Sequence, residues 1–294
     1  MTEANPAAAG PAAAGPTAAV LVIGDEILSG RTQDTNTNTI ARFLAALGID
    51  LMEVRVVSDD HDRIIEALDA LRARWDYVFT TGGIGPTHDD ITADAVAAAF
   101  DVALPEHPEA LAILARRYGD DFNAARRRMA RIPDGGVLIA NPVTDAPGFQ
   151  IGNVFVMAGV PRIMQAMLED VAPRLRTGAV VHARTLKVSG VGEGAVADVL
   201  RTAANLRRDL SFGSYPFGHG SVGEIGTQLV IRGRDAGLVE AAAQDLIAEL
   251  RNLSIDVAAT QPRKAVIMCG AGATVSPVSG PMGALPATLS RRER

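Results

Sequence analysis

Hydrophobic and polar positions alternate in blocks along the first half of the chain. Ala19–Gly24 (AVLVIG) is a short apolar run ending in glycine, the pattern of a buried strand. Ile40–Leu47 (IARFLAAL) spaces its apolar residues with a helical period, and Gly48 ends it. Leu51–Val57 predicts a second strand, Ser58-Asp59-Asp60 offers helix caps, and a helix should run to about Ala73. Tyr77–Thr81 (YVFTT) predicts a third strand, followed by a glycine-rich loop and a helix over about Thr92–Phe100. Residues 106–131 look helical, Val137–Ala140 is a candidate strand, Pro142–Phe149 a loop and Asn153–Met157 a strand leading into a helix to about Leu175. Strands alternating with helices specify βαβ units and a parallel sheet. The expected fold is therefore α/β, a doubly wound and mostly parallel sheet spanning residues 19–180.

The pattern then changes. Thr185–Val191, Leu210–Tyr215 and Thr227–Arg232 read as strands, with helices to about Leu206 and over about Ala236–Leu253. This β-α-β-β-α order predicts a second, smaller α+β domain over residues 181–260. The Ala/Pro/Gly-rich residues 1–18 read as a disordered leader, and the Gly/Ala/Pro/Ser-rich residues 261–294 as a disordered tail.

Composition narrows the function. The chain has 294 residues and a net charge of −6, from 28 basic and 34 acidic residues. It lacks the basic footprint of a non-specific nucleic-acid binder. At 4%, aromatic residues are too few for a row of base-stacking platforms. One cysteine, Cys269, excludes an intramolecular disulfide framework and fits a reducing compartment. No run approaches a membrane span, and the leader lacks the basic start of a signal peptide. The expectation is a cytoplasmic protein without nucleic-acid or membrane partners. Any phosphate it binds must be held locally.

Ligands of open parallel sheets bind beyond the carboxyl ends of the strands. The strongest candidate there is Thr80–Thr92, TTGGIGPTHDDIT. Gly82, Gly83 and Gly85 let the backbone come close to a ligand, and their N–H groups with the next helix N-terminus form an anion nest. Thr80, Thr81 and Thr87 add hydroxyls. Asp89 and Asp90 follow, where carboxylates repel phosphate unless a cation lies between, so this pair is a candidate metal site. A glycine-rich tight turn capped by aspartate is the plainer alternative. Asp25 and Glu26, after the first strand, suit a ribose hydroxyl, a metal or a solvated turn. Asn36 and Asn38 are uncharged hydrogen-bonding candidates or turn formers. Gly148 and Gly159-Val160-Pro161 fit a second phosphate or pterin cradle, and Arg162 is either a phosphate ligand or a surface residue. The arginines of residues 116–131 read as a solvated face or a subunit contact, and His88 as a bystander.

Taken together, these strings resemble a known family. Gly82–Thr92 (GGIGPTHDDIT), Gly24–Gly30 (GDEILSG) with Asp34–Asn38, Val57–Asp60, Pro147-Gly148-Phe149 and Met157–Arg162 resemble the N-terminal domain of competence/damage-inducible protein A (CinA). That domain shares the molybdopterin-binding fold of the molybdopterin adenylyltransferases. Ala158 stands where the family usually has proline. Gly192-Glu193, Ser214-Tyr215-Pro216 and Gly226–Leu229 extend the likeness, which covers about residues 18–258. The resemblance implies a metal-dependent (Mg, Mn or Co) nucleotide pyrophosphatase acting on ADP-ribose or FAD-like dinucleotides. Molybdopterin binding or adenylyl transfer is the alternative it implies, and a non-catalytic nucleotide-binding module is a third reading. It aligns Asp90 and Asp59 with acidic residues that hold a metal or orient water, while both remain plausible helix caps. It also implies a homo-oligomer, with a dimer favoured. Full-length CinA proteins carry a further amidohydrolase domain, to which the likeness does not extend.

Overall fold

A computed structural model describes residues 15–218 and 225–259. The leader up to residue 14, the tail and Cys269 lie outside the described residues. The first sheet is built in the order β1 (Thr17–Ile23), α1 (Asp25–Leu28), α2 (Asn36–Ala46), β2 (Asp50–Val57), α3 (His61–Arg72), β3 (Tyr77–Thr81), α4 (Thr92–Ala99), α5 (Pro108–Tyr118), α6 (Ala124–Arg127), β4 (Val137–Ile139), β5 (Gly148–Ile151), β6 (Val154–Met157) and α7 (Pro161–Val171). Its strand order is β2-β1-β3-β6-β5-β4. The first four of these strands are parallel, and β5 and β4 are antiparallel additions at one side.

β1 and β3 are central, so they carry apolar residues on both faces. One face packs Leu21, Ile23 and Val78 against α3, α4 and α5 through Leu68, Val96 and Leu114. The other packs Val20, Phe79 and Phe155 against α2 and α7 through Ile40, Leu44, Met164 and Leu168. Phe79 and Phe155 stack with ring centroids 5.2 Å apart. Helices on both faces leave the carboxyl ends of β1, β2, β3 and β6 at one rim, as expected for a doubly wound sheet.

The second sheet follows with β7 (His182–Ser189), α8 (Ala197–Leu206), β8 (Ser211–Phe217), β9 (Gly226–Gly233), α9 (Ala236–Asn252) and β10 (Val257–Ala259). Its order is β10-β7-β9-β8, antiparallel throughout. Leu186, Val188, Leu229 and Ile231 pack beneath α9, whose N-terminus is capped by Asp235. Arg234, only 13% exposed at its side chain, joins the two units by pairing with Asp50 and the Ala179 carbonyl.

Three segments differ from the sequence reading. β1 begins at Thr17, and Ala18 is fully buried, so these residues belong to the sheet and not to a disordered leader. The helical stretch over 106–131 is broken: Gly119 takes a positive φ of 52°, and Asn123 caps a separate short α6. Phe149 lies in strand β5, which turns into β6 through Gly152 at φ 54°. Gly148 follows Pro147 at the end of a turn-rich stretch, which masks the start of the strand. Among the described residues no helix is long and apolar enough to cross a membrane.

The rim depends on one close approach. Gly82 sits at φ 107°, and a Cβ built there would overlap the Ile23 carbonyl oxygen. Gly82→Ala should therefore destabilise the protein by at least about 2 kcal/mol, from backbone strain plus steric overlap. Urea unfolding measures this, and a loss under about 0.5 kcal/mol would show that the approach is not constrained.

Candidate active site at the sheet rim

The loop after β3 is held open by side chains from its own sequence. Thr92, fully buried, donates its hydroxyl to the Gly82 carbonyl at 2.9 Å, and its N–H bonds the Gly83 carbonyl at 3.0 Å. Gly83 takes φ 66°, where a Cβ would overlap the Thr92 hydroxyl. Asp90 closes the far end: one carboxylate oxygen accepts the Thr87 N–H at 2.7 Å and the Thr87 hydroxyl. The Gly82 N–H is spent on the Met157 carbonyl at 3.2 Å. Of the expected nest donors, Gly82 and Thr87 are thus already bonded. Gly83, Ile84 and Gly85 have N–H groups with no partner among the described residues. Ile84 was not among the residues selected from sequence, because its side chain gives no polar signal.

The loops after β1 and β2 supply carboxylates. The Asp25 N–H donates to Asp59 at 2.9 Å. Glu26 folds back over Gly24. Asp59 is half-buried. Burial pushes its carboxyl above the usual range, and the charges of Asp25, Glu26 and Asp89 push it further, against the lowering effect of the Asp25 N–H. The structure therefore groups Asp59 with Asp25, Glu26 and Asp89. Asp60 is turned to a capping role, accepting the Arg63 N–H at 3.0 Å.

Asp90 has a different setting. It lines a cleft with Gly83, Ile84, Gly85, Arg128, Arg131 and Phe149. Arg131 is committed to Asp94 by two hydrogen bonds of 2.7 Å. Arg128 is half-exposed, and its side chain has no ion pair or hydrogen bond among the described residues. Its place beside the loop was not legible in an arginine-rich stretch that reads equally well as a solvated face. Asp90 is committed to Thr87 while Asp89 beside it is exposed, and among the described residues no group of three or more acidic, His or Cys side chains is poised to hold a metal.

The remaining candidates separate clearly. Asn36 is 6% exposed and donates to the Gly159 carbonyl at 2.7 Å, and its carbonyl oxygen is unpartnered. Asp34 orients it by accepting the N–H groups of Asn36 and Thr37. Thr80 and Thr81 are buried with unpartnered hydroxyls. Such orphaned atoms are costly unless something outside the fold satisfies them. Gly159 is exposed at the rim, against Gly82. Asn38 is exposed on α2, and its side chain has no hydrogen bond among the described residues. Gly148 is buried in β5, where a Cβ would overlap the Val156 carbonyl, so its smallness serves packing in the sheet. Arg162 and His88 are exposed.

Comparison with known proteins shows the family. Residues 19–177 match the family described as "Probable molybdopterin binding domain", and residues 180–258 match "FAD synthase, middle domain". The chain belongs to the CinA N-terminal, molybdopterin-binding family. A CinA-like protein of Citrifermentans bemidjiense is 43% identical over 63% of this chain and 47% of its own length. A protein of Pyrobaculum arsenaticum is 33% identical over 83% of this chain and 95% of its own. The solved structure of CinA from Thermoplasma acidophilum superposes with TM-score 0.52 at 36% identity, covering 54% of this chain and 97% of that one. The chain spans about half the length of the CinA-like relatives it matches.

The shifted Asp59 makes a prediction about stability. Its folded pKa lies above the unfolded value of 3.8, so the folded state binds the proton more tightly and stability falls as pH rises through that window. Asp59→Asn keeps an acceptor for the Asp25 N–H and removes the buried charge. Its Tm should exceed that of the wild type at neutral pH, and the gain should vanish as pH falls below 3.8. A Tm difference independent of pH would contradict the assignment.

Proposed function

We propose that the rim hydrolyses the phosphoanhydride of a nucleotide diphosphate ester, with ADP-ribose or FAD-like dinucleotides as the substrate class. The supporting observation is the meeting of an acid cluster (Asp25, Glu26, Asp59, Asp89) with a loop that carries three unpartnered N–H groups. Carboxylates alone would repel a diphosphate, so the pair makes sense with a cation between them.

Asp59 and Asp89 are the residues suited to hold a divalent metal. Once bound with the diphosphate, such a metal supplies charge neutralisation and a more acidic water. Two carboxylates completed by substrate oxygens and waters would suit Mg²⁺.

The chain's own residues do the rest. Gly83, Ile84 and Gly85 hold the diphosphate oxygens through backbone N–H groups. Arg128 neutralises charge from the cleft side. Thr81 and Asn36 donate or accept toward the nucleotide. Asp59, held by the Asp25 N–H, orients the attacking water, whose proton passes to the leaving phosphate or to solvent. Water oxygen bonds to phosphorus as the anhydride P–O bond breaks. ADP-ribose then yields AMP and ribose 5-phosphate. A second reading, molybdopterin binding with adenylyl transfer, is supported by the family description of residues 19–177 and uses the same loop.

Purified protein with Mg²⁺, Mn²⁺ or Co²⁺ and a dinucleotide panel should release AMP, followed by chromatography. Asp59→Ala should lower kcat by at least about 100-fold. Asp90→Ala should impair activity through collapse of the loop turn. Arg128→Gln should raise KM by about tenfold with a smaller change in kcat, the signature of lost ground-state binding. Absence of AMP release, or full activity in Asp59→Ala and Asp90→Ala, would reject the hydrolytic reading. A pterin that copurifies without AMP release would favour the second.

A further inference from the structure

The smaller unit opens a cleft of about 530 Å³ between α8 and β8, and none of its lining residues belongs to the rim. α8 is amphipathic yet buries none of its residues fully. It turns Ala197, Leu200 and Ala204 into the cleft, at the i, i+3, i+7 spacing of one helix face. β8 is an edge strand, and it supplies Phe212 and Ser214. Leu200 and Phe212 are half-buried against the core of the unit, so that core lies open on this side. The two alanines leave room that longer side chains would fill.

The polar edge of the cleft is made by residues distant in sequence. Glu193, in the turn before α8, accepts the Ser214 hydroxyl from β8. Both lie in strings that carry the resemblance of the second domain, Gly192-Glu193 and Ser214-Tyr215-Pro216, and the rim makes no use of either. No cation pairs with Glu193 among the described residues, and Arg201, which also lines the cleft, is paired with Asp198 at 2.6 Å. The Ser214 proton is spent on Glu193, so this pair presents only acceptors to a ligand.

We infer that the cleft binds a flat heterocycle through an edge with two adjacent N–H donors. Guanine and the pterins share such an edge, the 2-amino-4-oxopyrimidine. The ring faces lie against Leu200 and Phe212, and the Glu193 carboxylate accepts the ring N–H and the 2-amino N–H side by side. Hydrogen bonds to an ionised acceptor are the strong ones, and a paired set also fixes orientation. Adenine sets a donor beside a ring nitrogen whose lone pair would face the carboxylate. Hypoxanthine keeps the ring N–H alone. The volume falls in the range of roughly 300–1,000 Å³ usual for small-molecule sites. This site is separate from the hydrolytic reading of the rim and stands or falls without it.

Titration calorimetry on the full chain tests it. Guanosine and neopterin are uncharged and carry no phosphate for the rim to hold, so each probes the cleft alone. At least one of them should bind, and the tighter of the two names the source of the ring. Inosine and adenosine should bind at least about tenfold more weakly than guanosine, for the loss of one charge-assisted hydrogen bond or more. Glu193→Gln, at an exposed position, should weaken guanosine and neopterin by a similar factor. Ala204→Leu fills the slot from the α8 side and should abolish binding, with folding checked by circular dichroism. Binding of neither probe, inosine held as tightly as guanosine, argininamide bound in place of the heterocycles, or full affinity in Glu193→Gln would each overturn the proposal.

Discussion

Gly82 lies so near the Ile23 carbonyl that no side chain fits between them, and the chemistry of the rim follows from that approach. β1 and β3 are neighbours in a parallel sheet, so their carboxyl ends emerge side by side. With no Cβ at Gly82, the loops that continue from them can converge. Asp25 and Glu26 come from one loop, and Asp89 and the N–H groups of Gly83 to Gly85 from the other. The loop after β2 then closes on the same rim and brings Asp59 within reach of the Asp25 N–H. The apolar faces of β1 and β3 fix the strands by burial on both sides, which gives the rim a rigid base.

That base is set against an electrostatic cost. Four carboxylates share the rim, and burial first, with the repulsion of the other three added to it, holds the Asp59 carboxyl above its usual range. Orphaned hydroxyls at Thr80 and Thr81 and the free carbonyl of Asn36 add unpaid polar burial. Folded proteins keep such features chiefly at functional sites. A cation and a polar ligand would relieve both at once. The overall charge of −6 thus matters less as a global property than as a local one.

Much of this was legible in the residues. The apolar runs at Ala19–Gly24 and Tyr77–Thr81 announced strands, and the glycine and aspartate string after the third strand announced the rim. What sequence could not show was which donors are already spent. Gly82 and Thr87 read as nest residues, yet their N–H groups bond Met157 and Asp90. Gly148 read as a cradle, yet sheet packing explains it. Arg128 and Ile84 were missed for the converse reason. Their roles come from tertiary placement against the loop, and neither carries a local pattern that marks it. The β5 strand was missed because its first residues, Gly148 and Phe149, follow the turn-forming Pro142–Pro147 and read as part of that loop.

The central claim is that the loop N–H groups and the acid cluster grip one diphosphate from two sides. A crystal structure with a non-hydrolysable methylene-bridged analogue of ADP-ribose and Mn²⁺ measures this directly, because anomalous scattering locates the metal. The account predicts diphosphate oxygens on the N–H groups of Gly83, Ile84 and Gly85, with Mn²⁺ between them and the carboxylates of Asp59 and Asp89. A ligand bound away from the loop, or Mn²⁺ bound without contact to either carboxylate, would contradict it.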